Sequence, residues 1–470
     1  MKNLIFIVVV VCNIKCNSQV QLLGMTSVGG AFNSGVLFQY STGVDTYTNT
    51  LDFSGAINGS HPRGSLMKAS DGKLYGMTYD GGANGLGTLF QYDLNNNLCT
   101  DKFEFDGTTN GSFPSGTLMQ AADGNLYGLT GGGGVNNKGV IFKYDIATNI
   151  FTKLVDFDGG NSGASPYGVL VQTLNGMLYG LTFGGGTSGN GVLFKYDPVT
   201  NALTKKIDFI GPNGTMPNGS LILANDGKLY GTTLVGGSIG NGTIFQFDPV
   251  TDIHTVKINF VAPSSNGSGP RGDLLQASDG NLYGMTEYGG ANSYGVLFQY
   301  NPSTEFYSKK IDFTGATKGS HSYSSLIQAS DGNLYGLTTY GGIYDLGVLF
   351  QYNFTSNTLT KKYDFNGTNG SSPLFTNLIE ISTIVTNIQK NTASNTIIIS
   401  PNPNNGLFTI DINSKSQITI INVLGETVFD QSLEMGKQEL NIQPQINGIY
   451  IVKIMDAKGL CFSKKIIVNK

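Results

Sequence analysis

Leu74-Tyr75-Gly76-Met77-Thr78, followed by Gly81-Gly82 and then by Gly87-Thr88-Leu89-Phe90-Gln91-Tyr92, is a unit that the chain repeats. Its tyrosine returns at Tyr127, Tyr179, Tyr230, Tyr283 and Tyr335, and an incomplete first copy, Leu22-Leu23-Gly24-Met25-Thr26, sets Leu23 in that slot. The spacings are 52, 52, 52, 51, 53 and 52 residues. Self-similarity at such a period marks a propeller or solenoid, in which one repeat cannot bury its own apolar face and stacking supplies the core.

Each repeat carries four strand signatures. The first, Gly64-Ser65-Leu66-Met67-Lys68-Ala69, runs into Asp71-Gly72. Its counterparts run into Asp123-Gly124, Asn175-Gly176, Asp226-Gly227, Asp279-Gly280 and Asp331-Gly332, dipeptides that tolerate positive φ and suit a tight hairpin. The second strand is the Leu-Tyr-Gly-Met-Thr stretch, and the third, of the type Gly-Val-Leu-Phe-Gln-Tyr, follows the Gly-Gly loop. A turn such as Asp197-Pro198-Val199-Thr200-Asn201 leads into the fourth, Lys205-Lys206-Ile207-Asp208-Phe209. A loop such as Asn58-Gly59-Ser60-His61-Pro62 returns the chain to the next repeat. Four antiparallel strands in about 50 residues make a propeller blade. Strands two, three and four occur seven times, whereas the chain opens without strand one and closes with a spare, Asn377-Leu378-Ile379-Glu380-Ile381. The count predicts an all-β fold: a seven-bladed β-propeller over residues 20–382, closed by a C-terminal strand that completes the N-terminal blade and leaves no edge unpaired.

Composition agrees with many short strands separated by Gly and Asn turns: Gly is 66 of 470 residues, with 23 Tyr, 27 Phe and only 13% charged residues. A net charge of -4 with scattered Lys and Arg offers no basic stripe to a phosphate backbone, which argues against a nucleic-acid partner. Lys2 and the apolar run of residues 4–12, too short to span a bilayer, read as a secretory signal peptide over residues 1–19, leaving no transmembrane segment in the mature chain. Lipid attachment at Cys12 or Cys16 competes with that reading, but Val11 and Lys15 are poor matches to the small residue that precedes a lipoprotein cysteine. Cys99 and Cys461 remain, in different domains, so no disulfide framework follows.

Residues 383–396 are polar and read as a linker, and residues 397–470 follow a different strand pattern. The order Ser400-Pro401-Asn402-Pro403 with Gly406, then Gly425, then Gly448-Ile449-Tyr450-Ile451-Val452-Lys453 and Lys464-Lys465-Ile466-Ile467-Val468 closely resembles the type A sorting domain of type IX secretion. The resemblance implies a small immunoglobulin-like β-sandwich that directs passage across an outer membrane. It implies the type IX machinery and a sortase as partners, and an extracellular or outer-membrane-surface destination. The repeats, through Asp331-Gly332-Asn333-Leu334-Tyr335-Gly336-Leu337-Thr338, the Gly-Gly pair and Gly347-Val348-Leu349-Phe350-Gln351-Tyr352, resemble the Gloeo_Verruco (GloVer) repeat family, a resemblance that implies no particular activity. Kelch repeats also place Gly-Gly after the second strand, but this chain has no Trp.

No Gly-x-Ser-x-Gly elbow, His-Glu-x-x-His helix or phosphate loop appears, and nothing calls for a cofactor. His254 falls in a fourth strand; His61 and His321 share one loop position but lack a third ligand for a metal. The Asp of each Asp-Gly pair serves the turn. Residues shared by all repeats are scaffold, so a site is sought among departures from the pattern. The second-to-third and fourth-to-first loops fall on one face and carry Phe32, Arg63, Tyr79, Asp80, Arg271, Glu287, Tyr288, Tyr294, Tyr340, Tyr344 and Asp345. Tyrosines with a few charges on a rigid ring suit stacking on sugars or anchoring a protein partner. The chain therefore reads as a secreted or surface binding protein for a glycan or protein ligand. The alternative is a glycan-active enzyme using two of Asp80, Glu287 and Asp345.

Overall fold

The computed structural model describes residues 20–261, 266–381, 398–412, 414–422, 426–442, 446–456 and 461–469; the expected signal peptide and linker lie outside them. The chain divides into two compact units, Met1–Ser382 and Thr383–Lys470. Among the described residues the one helix is the 3-10 turn Gly211–Asn213, and none is long and apolar enough to cross a membrane.

The described residues of the first unit form seven antiparallel sheets, which we number in chain order. The third is representative: Met119–Gln120, Leu126–Thr130, Val140–Asp145 and Ile150–Asp156 lie side by side in that order. The first sheet is assembled from both ends of the unit. Its strand Gln21–Thr26 pairs with Val36–Ser41 on one side and with Ile379–Ile381 on the other, Leu23 opposite Ile379, the seam that the strand count predicts.

Burial explains the repeated residues. Each interface between consecutive sheets has its own apolar cluster, such as Leu23, Met25, Leu37 and Phe53 of the first sheet with Leu66, Leu74, Phe90 and Tyr92 of the second. The series is cyclic, because Tyr335, Leu337 and Leu349 of the seventh sheet pack on Leu22, Val36, Phe38 and Tyr40 of the first. Each such side chain contributes about 1.5–3 kcal/mol when buried. Gly76, inside the second strand, lies under a ring: a Cβ there would stand 2.5 Å from Phe90 Cζ. The tyrosine beside it is buried by its ring and tied by its phenol, Tyr75 OH donating to Asp71 Oδ2 at 2.9 Å while Asp71 Oδ1 accepts Lys73 N at 3.0 Å. The same phenol bond recurs at Asp123, Asp226, Asp279 and Asp331, so these carboxylates serve the turn and the core together.

The first strand is shorter than its sequence signature. Only Met67–Lys68 pairs with the second strand, while Ser60–Pro62, which reads as a loop in the sequence, adds a separate three-residue strand to the far end. Residues 64–66 instead turn toward the neighbouring sheets. A Cβ at Gly116 would stand 2.1 Å from the Gly168 carbonyl oxygen, so backbones meet directly there. The next residue in each repeat bonds around the ring: Ser65 N to Thr117 Oγ1 (2.7 Å), Val169 N to Ser220 Oγ (2.8 Å), Ser220 N to Asp273 Oδ1 (2.6 Å) and Asp273 N to Ser325 Oγ (2.6 Å). Ser325 N to Asn377 Oδ1 (2.7 Å) and Asn377 N to Ser65 Oγ (2.6 Å) close the belt across the seam. It lacks a link only where Val169 has no side-chain acceptor for Thr117.

In the second unit a three-stranded sheet (Ile398–Ser400, Leu407–Ile412, Gly436–Asn441) and a four-stranded one (Thr427–Leu433, Ser416–Asn422, Gly448–Asp456, Cys461–Val468) share a single core that includes Phe408, Ile410, Ile418, Ile420, Val452 and Ile466.

Two predictions follow from the packing of the first unit. Leu378 is 1% exposed and carries the seam cluster, so Leu378→Ala should cost about 2–4 kcal/mol in urea unfolding; a loss below about 0.5 kcal/mol, the level of surface changes, would remove the seam from the stability of the unit. His254 sits where other repeats carry Tyr47, Phe151 or Tyr307, its ring 5.1 Å from that of Phe245 and its Nε2 buried without a partner. Burial lowers its pKa from 6.5 to about 4. The folded state thus holds the neutral ring, and its stability is full above the unfolded value and lost as pH falls through the window between the two. His254→Phe should abolish a loss of about 2 kcal/mol between about pH 7 and about pH 5, measured as the difference between wild-type and variant unfolding curves.

Candidate functional site

One position in each repeat, two residues before the residue that bonds around the belt, forms a column around the ring: Arg63, Ser115, Tyr167, Asn218, Arg271, Tyr323 and Phe375. Leu374 is an extra residue just before its last member. The column borders a narrow axial pocket of about 20 Å³, lined by Ser115, Tyr167, Asn218, Arg271, Tyr323 and Phe375. An arc of the column is stacked. The Arg271 guanidinium lies 4.8 Å over the Tyr323 ring, and Tyr323 stacks on Phe375 with centroids 5.8 Å apart. Arg63 comes next, 3.7 Å over Tyr79, which leans on Phe113 at 5.1 Å.

Glu287 organises the arc. The sequence reads it as an available loop acid, yet its side chain is 2% exposed, bound to Arg271 Nε and accepting the Tyr323 hydroxyl at 2.7 Å. Its carbonyl oxygen lies 3.0 Å from His321 Nδ1, which must carry the proton because a carbonyl only accepts. His321 then stands edge-on to three tyrosines, with centroids 5.5 Å away at Tyr288, 5.7 Å at Tyr294 and 6.1 Å at Tyr340. These three are 47%, 40% and 40% exposed. The Glu287 carboxylate raises the Tyr288 phenol above its ordinary value, and burial followed by the Glu287 bond raises that of Tyr323, so both stay protonated donors. Between the sixth and seventh sheets opens a cleft of about 380 Å³ lined by Tyr294, Ser320, His321, Tyr340 and Asp345.

The other sequence candidates divide. Asp80 Oδ1 is held both by Ser60 Oγ and by His61 Nδ1 at 2.8 Å, and Asp345 Oδ1 accepts Gly341 N at 2.8 Å, with Asp345 lining the cleft. His61 and His321 belong to different sheets and bind different partners, and the described residues hold no metal-ligand cluster. Phe32, 62% exposed, and Tyr344, 57% exposed, join neither group of rings. Tyr323, Phe375, Tyr167 and Asn218 escaped the sequence reading, although aligning the repeats on Gly168 and Gly219 would have placed Tyr167 and Asn218 beside Arg63 and Arg271.

Residues 13–176, 159–316 and 209–399 match the model of the Gloeobacter/Verrucomicrobia repeat, and residues 398–469 match the secretion system C-terminal sorting domain, which supports export by type IX secretion. A search of curated protein sequences returns no match. Among solved structures, a protein of Bacteroides uniformis provisionally assigned as a 6-phosphogluconolactonase is 14% identical with a TM-score of 0.52, over 77% of this chain and 100% of that one. The periplasmic gluconolactonase of Pseudomonas aeruginosa is 15% identical with a TM-score of 0.53, over 76% of this chain and 99% of that one. At these identities the likeness is one of fold, propeller-like and all-β. The chain belongs to the Gloeobacter/Verrucomicrobia repeat family and ends in a secretion system C-terminal sorting domain.

Proposed function

We propose that the protein is an exported saccharide-binding protein whose seven sheets are the blades of a closed propeller and whose loop face binds without turnover. The observation that carries this reading is the trio of half-exposed tyrosines around His321, two of which, Tyr294 and Tyr340, line a cleft of about 380 Å³. Ring faces held at fixed angles suit the C–H faces of sugars, and the Asp345 carboxylate and the tyrosine hydroxyls suit their hydroxyl groups. The glycan-active alternative needs a pair of carboxylates free to exchange protons. Glu287 is buried and paired with Arg271, which leaves it no room to exchange a proton with a substrate and weighs against that alternative.

The C-terminal unit acts as an immunoglobulin-like address that a sortase removes, and the mature propeller stays at the surface or is released. Joining residues 397–470 to an unrelated exported cargo in a host with type IX secretion should bring the cargo to the surface, measured by protease accessibility on intact cells; retention in the periplasm contradicts the address.

For binding, a glycan array followed by calorimetry should show Tyr340→Ala and Tyr294→Ala each weakening the best saccharide by about 1–2 kcal/mol, with unfolding free energy unchanged to within about 0.5 kcal/mol. Release of reducing ends from a polysaccharide panel, abolished by Asp80→Asn or Glu287→Gln, would establish the enzyme instead.

A further inference from the structure

The axial column contains two arginines, and the chain itself shows what an arginine there pairs with. Arg271 Nε donates to the buried carboxylate of Glu287, the residue that directly follows Thr286 of its Leu-Tyr-Gly-Met-Thr stretch. In the second sheet the corresponding residue, after Thr78, is Tyr79. Arg63 therefore lies over a ring in place of an acid, its guanidinium carbon 3.7 Å from the centroid. Its Nε is buried with no acceptor, and it forms no ion pair among the described residues. The adjacent acid, Asp80, is taken by Ser60 and His61. A second unmatched group lines the axial pocket: Asn218 is 6% exposed and its Oδ1 has no donor. A partly buried guanidinium without a counter-charge is unfavourable, and a ligand carboxylate offsets that cost through charge-assisted hydrogen bonds.

We infer that Arg63 takes the carboxylate of an acidic saccharide, a hexuronate unit, bound at the mouth of the axis beside the Tyr79 and Phe113 rings. This rests on the saccharide reading above and narrows it. A carboxylate is the anion because that is the group the homologous Arg271 holds within the chain. A sugar carries it because the flanking groups are aromatic faces, Tyr79 against Phe113 on one side and the Tyr323–Phe375 stack beside it in the column.

The test is calorimetry on the full chain with an oligogalacturonate and with the same oligosaccharide after reduction of its carboxyl groups. The acidic form should bind about tenfold more tightly, an advantage that shrinks as salt is raised. Arg63→Gln should remove that advantage and leave the affinity for the reduced form unchanged. Tyr79→Glu, which copies Glu287 into the second sheet, should also remove the advantage of the acidic form by supplying an internal carboxylate, while weakening both forms through loss of the ring, with thermal unfolding of both variants as the control for folding. Equal binding of both oligosaccharides by the wild type and by Arg63→Gln overturns the carboxylate and leaves the saccharide reading standing. Binding of poly-glutamate but of neither oligosaccharide overturns both.

Discussion

The first unit depends on a circular constraint: each sheet has two apolar faces, and no sheet can bury both without its neighbours on either side. The clusters run without a break from the first pair of sheets to the pair that joins the seventh to the first. An open array would expose one face at each end, roughly four large side chains at about 1.5–3 kcal/mol each. The chain avoids this with a ladder of only three residue pairs at the seam. So short a ladder suffices because Leu378 packs against the seventh sheet while Thr376 Oγ1 bonds to the Met25 carbonyl at 2.9 Å.

That constraint accounts for what the sequence makes legible. The Leu, Tyr and Phe of each repeat recur because every interface needs the same filling, and the Asp-Gly turns recur because each hairpin needs a residue at positive φ; Gly72 sits at 80°. The spare strand could be found by counting alone. The axial column is harder to see. Its members alternate among Arg, Ser, Tyr, Asn and Phe, so periodicity marks the position only through the glycine that follows, and in the seventh and first sheets Ser324 and Thr376 replace even that glycine. The fate of Glu287 was illegible for another reason. Its burial depends on Arg271, 16 positions away in the same sheet, and on Tyr323, 36 positions away, which meets it only when the next sheet packs against it.

The belt of hydrogen bonds explains why this column, of all the variable positions, is suited to a site. Residues 65, 117, 169, 220, 273, 325 and 377 tie the backbone to the neighbouring sheets two steps past the column, so each column side chain projects from a fixed base. Rigid placement lowers the ordering cost of binding, while the side chain itself carries no load in the core and is free to vary. The same logic holds for the residues after the second strand, where Tyr79, Phe183, Leu234, Glu287 and Thr339 occupy one slot with five different chemistries.

Glu287 shows how such variation builds a surface. A buried ion pair is weak support for stability, since desolvating both charges takes back most of their attraction. Here the pair does positional work: the carboxylate fixes the Arg271 plane against Tyr323, and the carbonyl of the same residue fixes the tautomer and angle of His321 among its three tyrosines. Through one side chain and one carbonyl, a residue that itself contacts almost no solvent orients aromatic rings on both the axial arc and the outer cleft. Where the second sheet carries Tyr79 in that slot, the arginine is oriented by a ring face, which positions the cation without neutralising it, and its charge stays available at the mouth of the axis.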